Sequence, residues 1–258
     1  MKQLRPETIG EVVHALRLRL GIEQVELGRD CGWGDASVVS RIEKGRVNPK
    51  RSTLLKLADN LADPVVTGTS AEIGAQLFLA AGILPTSRDV EELRPRIPNI
   101  NNLPQPAIVM DFGWYLWRAN KRLKEGFGLP RRNVGRNFVE ILFEEGGLVR
   151  GHLGDLWRSV ASWVVSDFRR DTASRCSQRW FGKLLGTLRT LPDFEELWSG
   201  AVQPDENVFG WSQATLDGGT IGAFRSHLAA DPRLIVGQIV PVDLRGRDVM
   251  LEYGALLP

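Results

Sequence analysis

Along residues 1–84, apolar positions recur every three to four residues, a period that predicts a series of amphipathic helices. We expect five helices, the first over 8–20 and the fifth over 71–81, which together form an all-α domain. The second and third helices are short, and Gly45 is expected to end the third one in a left-handed conformation. The residues expected to cap helices at their N-termini are Thr8, Asp35, Ser52 and Ser70.

Beyond a connector predicted over 85–106, the pattern changes to short apolar runs separated by helical stretches. A long helix is predicted over 152–170, where apolar residues form a broad stripe. The strands are predicted over 107–111, 114–119, 208–216, 221–228, 234–242 and 249–253. A hairpin, then helices, then antiparallel strands predict that residues 107–258 form an α+β domain with a PAS-like fold.

Two short segments of the first domain resemble a known DNA-binding unit. They run from Leu20 to Gly28 and from Ser37 to Gly45, and a tight turn over 32–35 joins them. This arrangement resembles the helix-turn-helix domain of phage repressors and of the bacterial xenobiotic-response-element regulators. The resemblance implies that the third helix enters the major groove of double-stranded DNA.

Alignment of Arg41-Ile42-Glu43-x-Gly45 with that family implies individual contacts. Gln24 would touch a phosphate, and the guanidinium of Arg41 matches guanine O6 and N7 with two hydrogen bonds. Glu43 is expected to be a structural partner of a basic side chain and not a DNA contact. The residues implied to face base edges are Ala36, Ser37, Ser40 and Arg41.

Positive charge is concentrated just beyond the third helix, although the formal net charge of +2 by itself says nothing about nucleic acid. Within 41–56, six basic residues accompany one acidic residue, Glu43. Such a cluster can neutralise phosphates, and an ordinary solvated basic face is the alternative. The predicted phosphate contacts here are Lys44, Arg46, Lys50 and Arg51. Because one small domain reads few base pairs, we expect a homodimer on the operator.

Seven of the eight tryptophans lie in the second domain, which indicates either a packed aromatic core or an apolar ligand cavity. Five segments of the chain resemble, in order, landmarks of the MmyB-type regulator ligand-binding domain. They are Leu103–Ala107, Trp117–Asn120, Arg136–Phe143, Asp155–Trp157 and Asp193–Trp198. The resemblance implies a PAS-like domain with an internal cavity for a fatty-acid-like or other lipophilic ligand.

The same resemblance implies that the cavity lies between the hairpin of the second domain and its helices. Arg136 and Asn137 are the candidate anchors for a carboxylate or hydroxyl head group, and their alternative role is to cap the following helix. The residues implied to form the site are Trp114, Trp117, Arg136, Asn137, Phe138, Leu142, Phe143, Trp157, Ala161 and Trp180. Without a ligand, this domain would serve only for dimerisation.

No group of residues has catalytic or metal-binding spacing. His14, His152 and His227 are far apart, and Cys31 and Cys176 fall in different domains. We therefore expect no enzyme activity, no metal and no cofactor apart from the lipophilic ligand. The N-terminal residues lack an apolar signal core, and no apolar stretch is long enough to span a bilayer. The sequence thus predicts a cytoplasmic transcription regulator without membrane contact.

Overall fold

The computed structural model describes residues 8–130, 133–200 and 210–256. The chain divides into two compact units. The first comprises residues 1–85 and 229–233, and the second comprises residues 86–228 and 234–258. No helix within the described residues is long and apolar enough to cross a membrane.

The described residues of the first unit form five helices around one apolar core, as predicted. They are α1 (Ile9–Leu20), α2 (Gln24–Asp30), α3 (Ser37–Glu43), α4 (Arg51–Leu61) and α5 (Ser70–Ala80). Each helix contributes a side chain with no exposed surface: Val13, Leu27, Val39, Leu54 and Ile73. Full burial of one such side chain contributes about 1.5–3 kcal/mol, so this shared core holds the short helices together.

Threonine residues begin α1 and α5. Thr8 and Thr69 each accept a hydrogen bond from the third amide of their helix, and the glutamate there binds the threonine amide in return. Thr8 was the predicted cap. The predicted cap Ser70 is wrong because Thr69 takes that position, and Ser52 is wrong because α4 already begins at Arg51.

The second unit is built on a five-stranded sheet in the order β2-β1-β5-β4-β3. The strands are β1 (Ala107–Asp111), β2 (Leu116–Ala119), β3 (Trp211–Leu216), β4 (Gly219–Leu228) and β5 (Asp231–Pro241). β1 is antiparallel to both β2 and β5, and β3 is antiparallel to β4. The first and the last strand, β1 and β5, therefore pair with each other inside one sheet. This arrangement agrees with the predicted α+β PAS-like domain.

Helices connect and flank these strands. They are α6 (Ser87–Glu92), α7 (Lys121–Phe127), α8 (Phe138–Phe143), α9 (Leu148–Leu153), α10 (Trp157–Thr172), α11 (Arg179–Leu188), α12 (Phe194–Gly200) and α13 (Leu244–Glu252). Short 3-10 turns lie at Arg94–Arg96, Ile100–Asn102, Gly154–Leu156 and Ala173–Arg175. Aromatic edge-to-face pairs such as Phe143 with Trp157 and with Phe194, each at 5.3 Å between ring centroids, fill the space between helices.

Two predictions for the second unit are wrong. The helix expected over 152–170 is interrupted, because Gly154 adopts a φ of +49° between α9 and α10. The strand expected over 249–253 belongs to α13, whose first turn is capped by Asp243 accepting from the Gly246 amide at 2.6 Å. Residues 208 and 209 of the strand predicted over 208–216 lie outside the described residues.

Candidate nucleic-acid interface and ligand cavity

One face of α3 is free of the core and carries the residues implied to read DNA. Val39 and Ile42 bury the opposite face, and neither has any exposed surface. Ser37, Arg41 and Lys44 follow one another at intervals of four and three residues and are exposed on one face of the helix. Ala36 and Ser40, beside them, are half-buried. The structure thus presents a short row of small and basic side chains, and serine and arginine are among the residue types that can contact base edges.

Close backbone approaches fix both ends of α3. A Cβ atom on Gly28 would lie 2.0 Å from the carbonyl oxygen of Asp35, and one on Gly10 would lie 2.4 Å from that of Glu43. At the N-terminal end, Asp35 Oδ1 accepts a hydrogen bond from the Ser37 amide at 2.8 Å, although Ala36 holds the N-cap position. Hydrogen bonds from the side chain and the backbone of Ser37 lower the pKa of Asp35.

The carboxylate of Glu43, at the end of α3, joins three helices. It accepts hydrogen bonds from Arg17 Nε at 2.8 Å and from Gln24 Nε2 at 2.7 Å, and it lies 3.0 Å from His14 Nδ1. The side chains of Arg17 and Glu43 are each only 6% exposed. Burial raises the pKa of Glu43, but the hydrogen bonds from Arg17, Gln24 and His14 outweigh it and lower the pKa overall.

These contacts of Glu43 with His14, Arg17 and Gln24, here called the Glu43 clamp, confirm the predicted structural role of Glu43. Gln24 is part of the same set of contacts, because its side-chain amide, which we expect to touch a phosphate, donates a hydrogen bond to Glu43. A phosphate contact by Gln24 stays a prediction.

The basic residues beyond α3 differ in their surroundings. Lys44, Arg46 and Lys50 are exposed and suited to phosphate contact. Arg51 is half-buried, and its guanidinium lies 4.5 Å from the ring centroid of Phe78. This cation–π contact ties α4 to α5, so Arg51 has a packing role beside its predicted phosphate contact.

A cavity of about 60 Å³ lies in the second unit between α10 and the sheet. Its wall is almost wholly apolar, with Arg225 and Asp167 as its charged members. The remaining lining residues are Ile108, Met110, Trp114, Leu123, Phe127, Phe138, Trp163, Val164, Ala223, Gly237, Gln238 and Ile239.

A second apolar cavity, of about 40 Å³, lies next to the first. Phe127, Trp163 and Ile239 line both cavities, so these three side chains separate them. Small-molecule sites typically have volumes of about 300–1,000 Å³, and a long ligand therefore requires these separating side chains to move.

The residues implied to form the ligand site are only partly brought together. Trp114 and Phe138 line the larger cavity. Phe143, Trp157 and Ala161 are buried in the helical layer and line neither cavity. The other implied apolar residues that line neither cavity are Trp117, Leu142 and Trp180. Aromatic pairs of Phe143 with Trp157 and with Phe194 occupy part of the helical layer, and a ligand contact by the implied residues outside these two cavities stays a prediction.

The two candidate head-group anchors have structural partners instead. Asn137 is fully buried, caps α8 by accepting from the Val139 amide at 3.0 Å, and donates to the Gly113 carbonyl at 2.7 Å. Arg136 forms a partly exposed ion pair with Glu144 at 3.1 Å. Neither residue lines the two cavities, so the capping alternative holds for Asn137 and the anchoring role of Arg136 has no support from its position.

Sequence reasoning missed the charged residues at the cavity. Arg225 lies in β4, and Asp167 and Asp171 are one turn apart on α10. Burial raises the pKa of Asp171, while Arg225 and Arg170 act in the opposite direction. The sequence shows only a lone arginine in β4 and two aspartates on the apolar stripe of α10, and nothing in this pattern indicates that they meet.

Two regions of the chain match known protein families. Residues 8–62 match a helix-turn-helix domain, and residues 100–209 match the MmyB-like transcription regulator ligand binding domain. No curated protein matches the chain. Together with the exposed face of α3, these matches define a DNA-binding transcription regulator of the helix-turn-helix class. Its second unit carries the MmyB-type ligand-binding domain that the sequence resemblance implied.

Proposed function

We propose that this regulator binds a specific operator as a homodimer in the cytoplasm, and that a small lipophilic ligand in its second unit changes its operator affinity. We expect this ligand to contain a fatty-acid-like chain. A ligand acts in this way only if it binds the two arrangements of the protein with different affinity.

The observation that supports a ligand is the apolar cavity against α10, with one buried arginine at its wall. Ligand sites combine apolar walls with a few convergent polar groups, and this cavity has that composition. The neighbouring cavity offers room for the rest of a chain once Phe127, Trp163 and Ile239 move. Each Å² of apolar surface removed from water then contributes about 25 cal/mol to affinity.

A second candidate function is supported by the small cavity volume of about 60 Å³. A domain with a solid core needs no ligand and would act only as a dimerisation module. The two candidates differ in whether a lipophilic compound stabilises the protein.

A thermal-shift experiment separates them. After extraction of bound lipid, straight-chain ten- to sixteen-carbon compounds should raise the Tm of the full chain, because a ligand that binds only the folded state stabilises it. Ala223→Leu should abolish the shift, since Ala223 lines the cavity and leucine fills the space. The matched control Ser226→Leu changes an exposed position of the same strand and should keep the shift.

A shift of equal size in the Ala223→Leu protein would place the ligand elsewhere. No shift with any chain length would leave the dimerisation module as the function of the second unit. Ala161→Trp is unsuited to this test because Ala161 is fully buried away from both cavities, and tryptophan there would overpack the core.

Dimerisation is tested by sedimentation of the full chain at micromolar concentration, alone and with an operator duplex. We expect a dimer on DNA that contacts two half-sites about one helical turn apart. A monomer bound to a single asymmetric site would contradict this part of the proposal.

A further inference from the structure

The charged residues beside the larger cavity form a buried, electrically balanced cluster. Arg225 Nη1 lies 2.7 Å from Asp171 Oδ2, and its Nη2 lies 3.3 Å from Asp167 Oδ2. Arg170 Nη2 lies 2.7 Å from Asp167 Oδ1, and its Nε lies 3.4 Å from Asp171 Oδ1. All four side chains are between 3% and 8% exposed. Two cations thus face two carboxylates away from water.

Neutral donors also form hydrogen bonds with the two carboxylates. Trp114 Nε1 donates to Asp171 Oδ2 at 3.2 Å, and Ser212 Oγ donates to Asp167 Oδ2 at 2.5 Å. Ser212 in turn accepts from Trp163 Nε1 at 3.2 Å. Both tryptophans line the cavity, so the cluster and the cavity wall are one connected structure.

The hydrogen bonding of the two arginines is nevertheless incomplete. Among the residues that the structure describes, Nε and Nη2 of Arg225 and of Arg170 are buried and make no hydrogen bond. Three of these atoms still lie 2.7–3.4 Å from aspartate oxygens in ion pairs, whereas Arg225 Nε has no ion-pair oxygen among the described residues either. Of these two arginines, Arg225 lines the cavity. A buried donor without a partner is unfavourable, and an acceptor brought into the cavity by a ligand would relieve it.

The charge balance selects the kind of acceptor. A carboxylate would add a third negative charge to two existing carboxylates in an apolar space, which is costly. An uncharged oxygen accepts from Arg225 and leaves the cluster balanced. We propose that Arg225 holds a neutral carbonyl-type acceptor of the ligand, as in an ester, a lactone or an amide, while the apolar remainder occupies the cavity. This inference rests on the proposed ligand-binding function.

The test is calorimetric titration of the lipid-stripped full chain with three ten-carbon probes: decane, methyl decanoate and decanoate. We expect methyl decanoate to bind about tenfold more tightly than either other probe, the effect of one hydrogen bond to a charged group. Decanoate binding as tightly as the ester, or decane doing so, would overturn the inference and leave the ligand function intact. No binding of any probe would overturn both.

Two variants separate the hydrogen bond from general hydrophobicity. Arg225→Lys keeps the positive charge but removes the guanidinium donors, and the preference for methyl decanoate over decane should fall about tenfold. Arg170→Lys changes the same ion cluster at a residue that does not line the cavity, and that preference should persist. If the preference for methyl decanoate over decane falls equally in both variants, Arg225 has only a structural role in the ion cluster. If Arg225→Lys does not fold, the probe series on the unchanged protein still decides.

Discussion

Replacing Glu43 with glutamine is expected to destabilise the first unit by about 3 kcal/mol, because it leaves the buried Arg17 guanidinium without its counter-ion. The substitution keeps the size of the side chain and removes the charge that joins α1, α2 and α3. Calorimetric unfolding of the full chain measures the effect, and hydrogen exchange assigns it to the amides of these helices. The transition of the first unit should move down by more than about 10 °C.

The matched control is Glu92→Gln, which breaks an ion pair with Arg88 in which both side chains are more than half exposed. It should leave the unfolding temperature unchanged, since exposed pairs contribute little. The Glu43 clamp is also sensitive to acid. The pKa of Glu43 is lower in the folded state, so its stabilisation is present above the ordinary value of 4.5 and is lost as pH falls below it. If Glu43→Gln unfolds like the unchanged protein, Glu43 does not hold α3 in place.

Arg41→Ala should weaken binding to the specific operator by about 1–3 kcal/mol and relax discrimination at one base pair. Arg41 is exposed on the face of α3 opposite the buried Val39 and Ile42. Its Nε lies 3.4 Å from the Ser37 carbonyl, so the guanidinium extends along the exposed face. Fluorescence anisotropy with operator duplexes substituted one base pair at a time measures both effects.

Lys44→Ala and Arg46→Ala provide the comparison. Both residues are exposed beside α3, and each is expected to contact a phosphate. Their loss should lower affinity for operator and random DNA alike and reduce the salt slope by about one for each residue. A uniform loss for Arg41→Ala across all duplexes would make Arg41 a phosphate contact instead of a base contact.

The first unit could be predicted well because its signals are local. The three-to-four-residue period sets each helix, and Gly45, with a φ of +64°, ends α3 where the sequence places it. The role of Glu43 also followed from its position before that glycine. Cap assignments failed by one or two residues, because Thr69 and Ser70 are both capable caps and packing chooses between them.

The cavity and its charged cluster could not be predicted in the same way. Arg225 reaches Asp171 across 54 positions of sequence, and no local pattern reports that distance. Arg136 and Asn137 are polar residues beside an apolar run, a pattern that fits a head-group anchor and a helix cap alike. The short apolar run near Val249 is compatible with a strand or with a helix. In the structure these residues form α13, which packs against β4, a long-range contact that the local pattern does not report.

The most direct test of ligand control is an equilibrium titration of a selected operator duplex with the lipid-stripped full chain, with and without saturating methyl decanoate. We expect a change in operator affinity of at least about fivefold, in either direction, and no change in Ala223→Leu. Operator affinity that stays the same while calorimetry shows the second unit to be saturated would contradict it.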